Sequence, residues 1–148
     1  DEPRTSLKSK LSSKEGPAYL MKELQELMWD KVGLFRTGAD LEAALLRIRE
    51  MQADDMRRME IPRNRPFNQA LIDWYELRAG LLCAEAVVLS AINRTESRGA
   101  HQRLDYEDVS RDFERNQTVA LKGDELVAGW REVPRISYTL EEKKAAVV

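Results

Sequence analysis

Cysteine, histidine and glycine are all scarce in this 148-residue chain, and each shortage removes a class of chemistry. With a single cysteine, Cys83, no internal disulfide can form, which suits a reducing compartment and a cytoplasmic protein. One cysteine and one histidine, His101, cannot assemble a zinc site rich in those ligands, and no EF-hand spacing of acidic residues occurs. The seven glycines are scattered, with no G-x-G-x-x-G and no Walker loop, so no cradle for a dinucleotide or a phosphate is encoded. No apolar run approaches the ~20 residues that a bilayer-spanning helix needs. The polar opening "DEPRTSLKSKLSSKEG" is not a secretory signal. A net charge of −2, from 24 basic and 26 acidic residues, lacks the positive excess that a nucleic-acid surface uses to displace counterions. The composition therefore predicts neither nucleic-acid binding nor direct membrane insertion. The chain opens on Asp1 rather than methionine, as a processed product would or, the favoured reading, a piece of a longer polypeptide.

Hydrophobic residues make up 43% of the chain and charged ones 34%, enough for one globular domain with its own core. Residues 1–16 read as a flexible N-terminal arm, closed by Gly16-Pro17. Proline at a first helical position suits a helix start, and Leu20, Leu24, Leu27 and Met28 recur at helical spacing to about Lys31. After "VGLFRTGAD", either Thr37 or Asp40 can cap a second helix, which carries Leu41, Leu45, Ile48 and Met51 on one face and fades near Met59. "MQADDMRRME" reads as a solvated helix face with opposite charges one turn apart.

Two prolines, Pro62 and Pro66, break the chain before Asn68, a plausible cap for a long third helix over residues 68–92. Its apolar residues cover more than one face, which predicts a central, buried helix with Cys83 as a small core residue. Gly80 there suggests the close approach of another element. Trp29, Trp74 and Trp130 read as core or domain-contact anchors. "TVALKGDELVAGWREVPRI" suggests a hairpin about Gly123-Asp124, although Ala120, Ala128 and Gly129 are poor strand residues. The expected fold is mainly α, a three-helix-type bundle over 17–112, with a small C-terminal β hairpin or appendage over 113–138 and a tail over 139–148.

One segment resists this bland reading. "TESRGAHQRLD", Thr95 to Asp105, is a dense polar knot directly after the most apolar stretch of the chain. A helix terminus accounts for Arg98 and His101 as dipole-complementing cations with Gly99 as the turn, while a contact with a substrate, a cofactor or a second domain accounts for them equally well. A catalytic pair of Cys83 with His101 needs a polar, accessible thiolate, which an apolar helix does not offer. His101 as a lone general acid or base has no second catalytic group near it in sequence.

The residues that follow Phe67 carry a resemblance. Phe67-Asn68, Leu71-Ile72, Glu76-Leu77, Leu81-Leu82, Ala84-Glu85-Ala86 and Ser90-Ala91, and above all Glu96-Ser97-Arg98-Gly99-Ala100-His101, resemble the C-terminal helical region of succinate dehydrogenase and fumarate reductase flavoprotein subunits, the wider family of aspartate oxidase. Upstream, "LMWDKVGLFRTGADLEAALLRI" is similar to that family's preceding helices and its G-(V/L)-(F/V)-R corner. The likeness spans roughly residues 18–136. "SRDFERNQT" departs from it, standing where dehydrogenase members carry a Trp/Lys-His segment, so the subtype stays open.

The resemblance implies a parent FAD-dependent oxidoreductase that interconverts succinate and fumarate or a related dicarboxylate. Its flavin-binding glycines and catalytic residues belong to a larger preceding domain, so this chain is expected to hold no cofactor and no catalytic residue. The implied partners are the FAD-binding domain of the same polypeptide and an iron–sulfur or other subunit, through which membrane association would arise. The knot then becomes a seam to the flavin domain, with Glu96, Ser97, Arg98, His101 and Arg103 as contact candidates, and the side chains from Glu96 to His101 are expected to be partly exposed in this chain. The rival reading is a free-standing helical interaction module without catalysis.

Overall fold

Gly16 holds extended backbone, and Pro17, with φ already fixed, begins helix α1 (Pro17–Val32) where its missing N–H costs nothing. The computed structural model describes residues 4–6, 16–62 and 66–134. Leu20 and Leu24 of α1 point inward, and Val32 ends the helix in the core. A two-residue strand, β2 (Phe35–Arg36), pairs in parallel with β4 (Gln102–Arg103) and separates α1 from α2 (Gly38–Glu50). Of the two candidate caps Thr37 does the capping, its Oγ1 accepting from the Asp40 N–H at 3.2 Å. Asp40 supports it by accepting from Thr37 Oγ1 and from Lys31 Nζ, both at 2.8 Å.

Helix α2 passes without a break into a π turn, Met51–Asp55, and a last helical turn, α3 (Met56–Arg58). The wider π turn brings residues five apart toward the same side. Met51 and Met56 are consequently both buried, with Met59 beyond them. This corrects the reading of "MQADDMRRME" as a solvated face. Most of its charges do lie outward, as in the pair Arg58–Asp54, but its methionines are core.

Strand β3 (Glu60–Pro62) buries Ile61 and pairs in parallel with β1 (Arg4–Ser6), which lies within the stretch expected to be a flexible arm. Asn68 then caps α4 (Gln69–Asn93): its Oδ1 accepts from the Leu71 N–H at 3.2 Å, while its Nδ2 donates to the Pro62 carbonyl at 2.6 Å. One polar side chain thus starts the helix and ties it to β3.

The three long helices pack on one another around Leu24, Leu41, Ile48, Leu77, Leu81 and Val88. Burying each such side chain contributes about 1.5–3 kcal/mol, so this shared stripe dominates the stability of the domain. Gly80 faces α1, where a Cβ would lie 3.4 Å from Met21 Cε. That is ordinary contact, so the helices are close there without requiring glycine.

Only one face of α4 is buried. Trp74, Leu77, Leu81, Ala84, Glu85, Val88 and Ala91 face the bundle, whereas Ile72, Tyr75, Leu82 and Val87 on the opposite face are exposed. Cys83 is exposed too, which overturns its assignment to the core. The helix is apolar on two sides and the bundle covers one of them, so apolar content alone overstated its burial. Among the tryptophans, Trp74 is core and Trp29 stands out in solvent at 83% exposure.

The hairpin forms as β5 (Arg115–Lys122) and β6 (Glu125–Glu132), antiparallel, with Lys122 opposite Glu125 about Gly123-Asp124. Gly123 has φ +63°, which glycine adopts without steric cost. Gly129 has its own reason: a Cβ there would come within 3.2 Å of Thr118 Oγ1 on the facing strand. The protein is mainly α, three long helices with a small β hairpin. The predicted tail at 139–148 lies outside the described residues.

Candidate functional site

The polar knot begins where α4 ends. Without partners, the last carbonyls of a 25-residue helix would be left unsatisfied. Arg103, only 3% exposed, supplies them: its Nη1 donates to the carbonyls of Ala91 at 2.9 Å and Ile92 at 3.4 Å. Its positive charge also complements the negative end of the helix. The remaining edge of the guanidinium forms a bidentate pair with Asp105, Nε to Oδ1 at 2.7 Å and Nη2 to Oδ2 at 2.8 Å.

Asp105 in turn accepts from the Gly38 N–H, at the start of α2, at 2.8 Å. Its carboxyl is held well below the usual range, chiefly by Arg103, which outweighs the opposing effect of burial, with this backbone amide adding a smaller contribution. The pair therefore bolts the C-terminus of α4 to the N-terminus of α2. A Cβ on Gly38 would stand 3.1 Å from Asp105 Oδ2 and 3.3 Å from Arg103 Nη2, so glycine keeps the space open.

The third helix end is served by Arg36. Its Nε donates to the carbonyls of Gly33 at 2.6 Å and Val32 at 3.1 Å, at the end of α1. Its Nη1 reaches His101 Nδ1 at 2.7 Å, and His101 Nε2 lies 2.9 Å from the Arg94 carbonyl. Since a guanidinium only donates, Nδ1 accepts, and Nε2–H donates to the carbonyl. His101 is thus a neutral wedge between two loops. Burial first, then the charges of Arg36, Arg103 and Arg94, push its pKa down, against the Arg94 carbonyl. With both ring nitrogens engaged, it has none left for acid–base work.

Glu96 is fully buried. Oε1 accepts from Arg94 Nη1 and from Arg98 Nε at 2.9 Å, and Oε2 accepts from Arg98 Nη2 at 3.2 Å and the Ser110 N–H at 2.9 Å. Burial raises its pKa, but Arg98, the Ser110 amide and Arg94 outweigh that and lower it to about 2. Ser97 Oγ accepts from the Arg103 N–H at 2.8 Å and donates to the Tyr106 carbonyl at 2.8 Å. Arg98 and His101 exchange backbone hydrogen bonds of 2.8 and 3.0 Å about Gly99, whose φ is +59°. Gly99 thus closes a tight turn six residues beyond the helix end, in place of the helix-terminal turn that one of the two readings of the knot gave it.

Arg94 fastens the hairpin to this assembly. It donates to the carbonyls of Phe113 and Arg115, both at 3.0 Å, and its guanidinium lies 5.2 Å from the centre of the Trp130 ring.

Of the five contact candidates, Glu96 and Ser97 are buried within the chain itself, which corrects the expectation of partial exposure, and Arg103 is buried as well. The carboxylate and the hydroxyl find their partners at home. Arg98 keeps 40% side-chain exposure, and His101 is half-buried. Arg36 and Arg94 were not singled out from the sequence, although Arg36 is the last residue of the quoted G-(V/L)-(F/V)-R corner.

No group of three or more metal-ligating side chains converges among the described residues, and no described helix is long and apolar enough to cross a membrane. The N-terminus of α2, which could face a phosphate, already holds the Asp105 carboxylate, and the two described glycines with positive φ sit in hairpin-type turns. The class defined is a helical domain whose three helix ends are locked by one ionic cluster.

Comparison with known proteins names the family. Residues 21–143 match the family model described as fumarate reductase flavoprotein C-term, and the chain belongs to this family of flavoproteins. It is similar to the 8-methylmenaquinol:fumarate reductase flavoprotein subunit of Wolinella succinogenes, 36% identical over 132 residues, covering 84% of this chain and 21% of that protein. The L-aspartate oxidase of Pseudomonas aeruginosa is 39% identical over 92 residues, covering 62% of this chain and 16% of that protein. Among solved structures, the Mycobacterium smegmatis Sdh1 complex in the apo form gives a TM-score of 0.74 at 27% identity, covering 90% of this chain and 24% of that one. An Escherichia coli quinol fumarate reductase FrdA mutant gives 0.76 at 26% identity, covering 86% and 23%. The chain spans about a fifth of the length of the curated relatives it matches.

Proposed function

We propose that this chain is the bracing domain of an FAD-dependent oxidoreductase that interconverts succinate and fumarate or a related small dicarboxylate, with hydride passing between substrate and flavin. The flavin and the catalytic groups belong to a part of the polypeptide outside these residues, and this domain adds no catalytic residue. The carrying observation is that the ionisable groups of the knot are committed to helix ends and to one another, in a chain of this family. A contact surface remains: Arg98 is partly exposed, and Leu104, Tyr106 and Val109 of the segment that follows it are exposed too. Glu96, Ser97 and Arg103 act from beneath, fixing the loop that presents Arg98 and His101 to the flavin domain. Association with an iron–sulfur or other subunit, and through it with a membrane, fits relatives whose names place them in multi-subunit reductase complexes.

The test is to express the polypeptide as its gene encodes it. The expected product is yellow, and succinate reduces an artificial electron acceptor through it. The 148-residue chain alone should be colourless and leave FAD fluorescence unchanged. A full polypeptide without flavin, or a short chain that binds it stoichiometrically, refutes the reading. Its family membership leaves the free-standing interaction module unfavoured.

A further inference from the structure

An open groove of about 390 Å³ lies between the outer face of α4 and strand β5. Val87 and Ser90 line it from the helix and Gln117 and Val119 from the strand, with Arg36 and His101 where the helix ends. The groove continues the exposed stripe of Ile72, Tyr75 and Leu82, which the bundle leaves uncovered. Helical geometry puts Ile72, Tyr75, Leu82 and Val87 on one side, opposite Leu77 and Leu81.

The charges beside the groove do not balance. Arg103 has Asp105, and Arg94 and Arg98 share Glu96. Arg36 forms no ion pair with any carboxylate among the described residues; its hydrogen bonds go to two carbonyls and a neutral imidazole. Partial burial and the nearby Arg103 charge both disfavour its cationic form. A second donor is also unspent, because Gln117 Nε2 is buried without a hydrogen-bond partner. Buried donors of this kind cost free energy until an acceptor arrives.

We propose that this groove seats a segment of the same polypeptide from outside these 148 residues, which lays an apolar side chain against Val87 and Val119 and presents a carboxylate to Arg36. The surplus positive charge selects an acidic occupant, and the apolar stripe leading into the groove selects a protein segment over a free small acid. The chain spans about a fifth of its relatives, so most of a parent polypeptide remains to supply that segment. The inference rests on the bracing role proposed above and adds a second contact face, with what recognises it.

The experiment places a photo-crosslinking residue, p-benzoylphenylalanine, at Val87, at Val119 or at Leu104 in the polypeptide as encoded, and maps the products by mass spectrometry. Val87 and Val119 should both crosslink to one segment outside these residues, with an Asp or Glu within a few positions. Changing that carboxylate to its amide should lower the yield about fivefold, as loss of a specific polar contact would, and leaves this domain untouched. Arg36→Gln should do the same, while Arg36→Lys should retain most of the yield. Crosslinks from Val87 to a second copy, to another subunit or only within this domain overturn the inference. If Leu104 still reaches the rest of the polypeptide in that case, the bracing role stands and only the groove is wrong. If none of the three positions does, both fall.

Discussion

Glu96→Gln removes one charge from the fully buried centre of the knot and leaves the shape almost unchanged. Both oxygens of Glu96 are saturated, with three guanidinium N–H groups and one backbone amide pointing at them. Its pKa is about 2, against an ordinary 4.5. A carboxyl whose folded pKa lies below its unfolded value stabilises the fold above about pH 4.5, and this contribution is lost as pH falls from 4.5 toward 2. At about 1.4 kcal/mol per pKa unit, the charged form is worth roughly 3 kcal/mol at neutral pH. Glutamine cannot supply that charge, and its amide aims a donor at the arginines. The expected loss at pH 7 is therefore roughly 3 kcal/mol, about 6–12 °C in Tm for a domain of this size. Urea denaturation of both proteins at several pH values is the assay. The gap between them should be full at pH 7 and fall to less than about half by pH 3, as the wild-type carboxyl protonates. A variant as stable as wild type at pH 7, or a gap that does not change with pH, would refute a buried ionic centre.

Four further outcomes follow from the same contacts. Leu81→Asp should unfold the chain, because Leu81 is 1% exposed in the core, whereas Leu82→Asp, at 41% exposed, should shift the Tm by only a few degrees; circular dichroism melts that rank them otherwise would put the wrong face of α4 in the bundle. Arg103→Ala should cost about 3–5 kcal/mol in urea denaturation, since it strands two helix carbonyls and Asp105, and Arg103→Lys should recover only part because an ammonium cannot make the bidentate pair. His101 has its pKa lowered by folding from 6.5, so its share of stability is complete above that value and lost as pH falls below it; His101→Gln should flatten stability between about pH 7 and 5, and an unchanged slope there would deny the histidine its wedge role. Gly80→Ala should raise stability by about 0.5–1 kcal/mol through helix propensity, given ordinary contact distance to Met21; a lower Tm would show that α1 and α4 tolerate no added methyl group.

What the sequence determined by itself is what short-range physics writes into it. Pro17, Thr37 and Asn68 start helices because a fixed φ or a side-chain oxygen satisfies free backbone N–H groups. Leu20, Leu24, Leu41 and Ile48 follow the helical repeat, and Gly123-Asp124 turns the hairpin. The string Glu96 to His101 also carried the family resemblance. What lay beyond reach depends on distance along the chain. Arg36 meets His101 from 65 residues away, and Gly38 meets Asp105 from 67, so no local window joins them. The π turn that buries Met51 and Met56 together breaks the 3.6-residue repeat used to read that run. Helix α4 is apolar on two faces, and only the packing of α1 and α2 decides that Leu81 is core while Leu82 and Cys83 face outward. Burial belongs to the assembled bundle, because a side chain loses its water only when another element arrives to displace it.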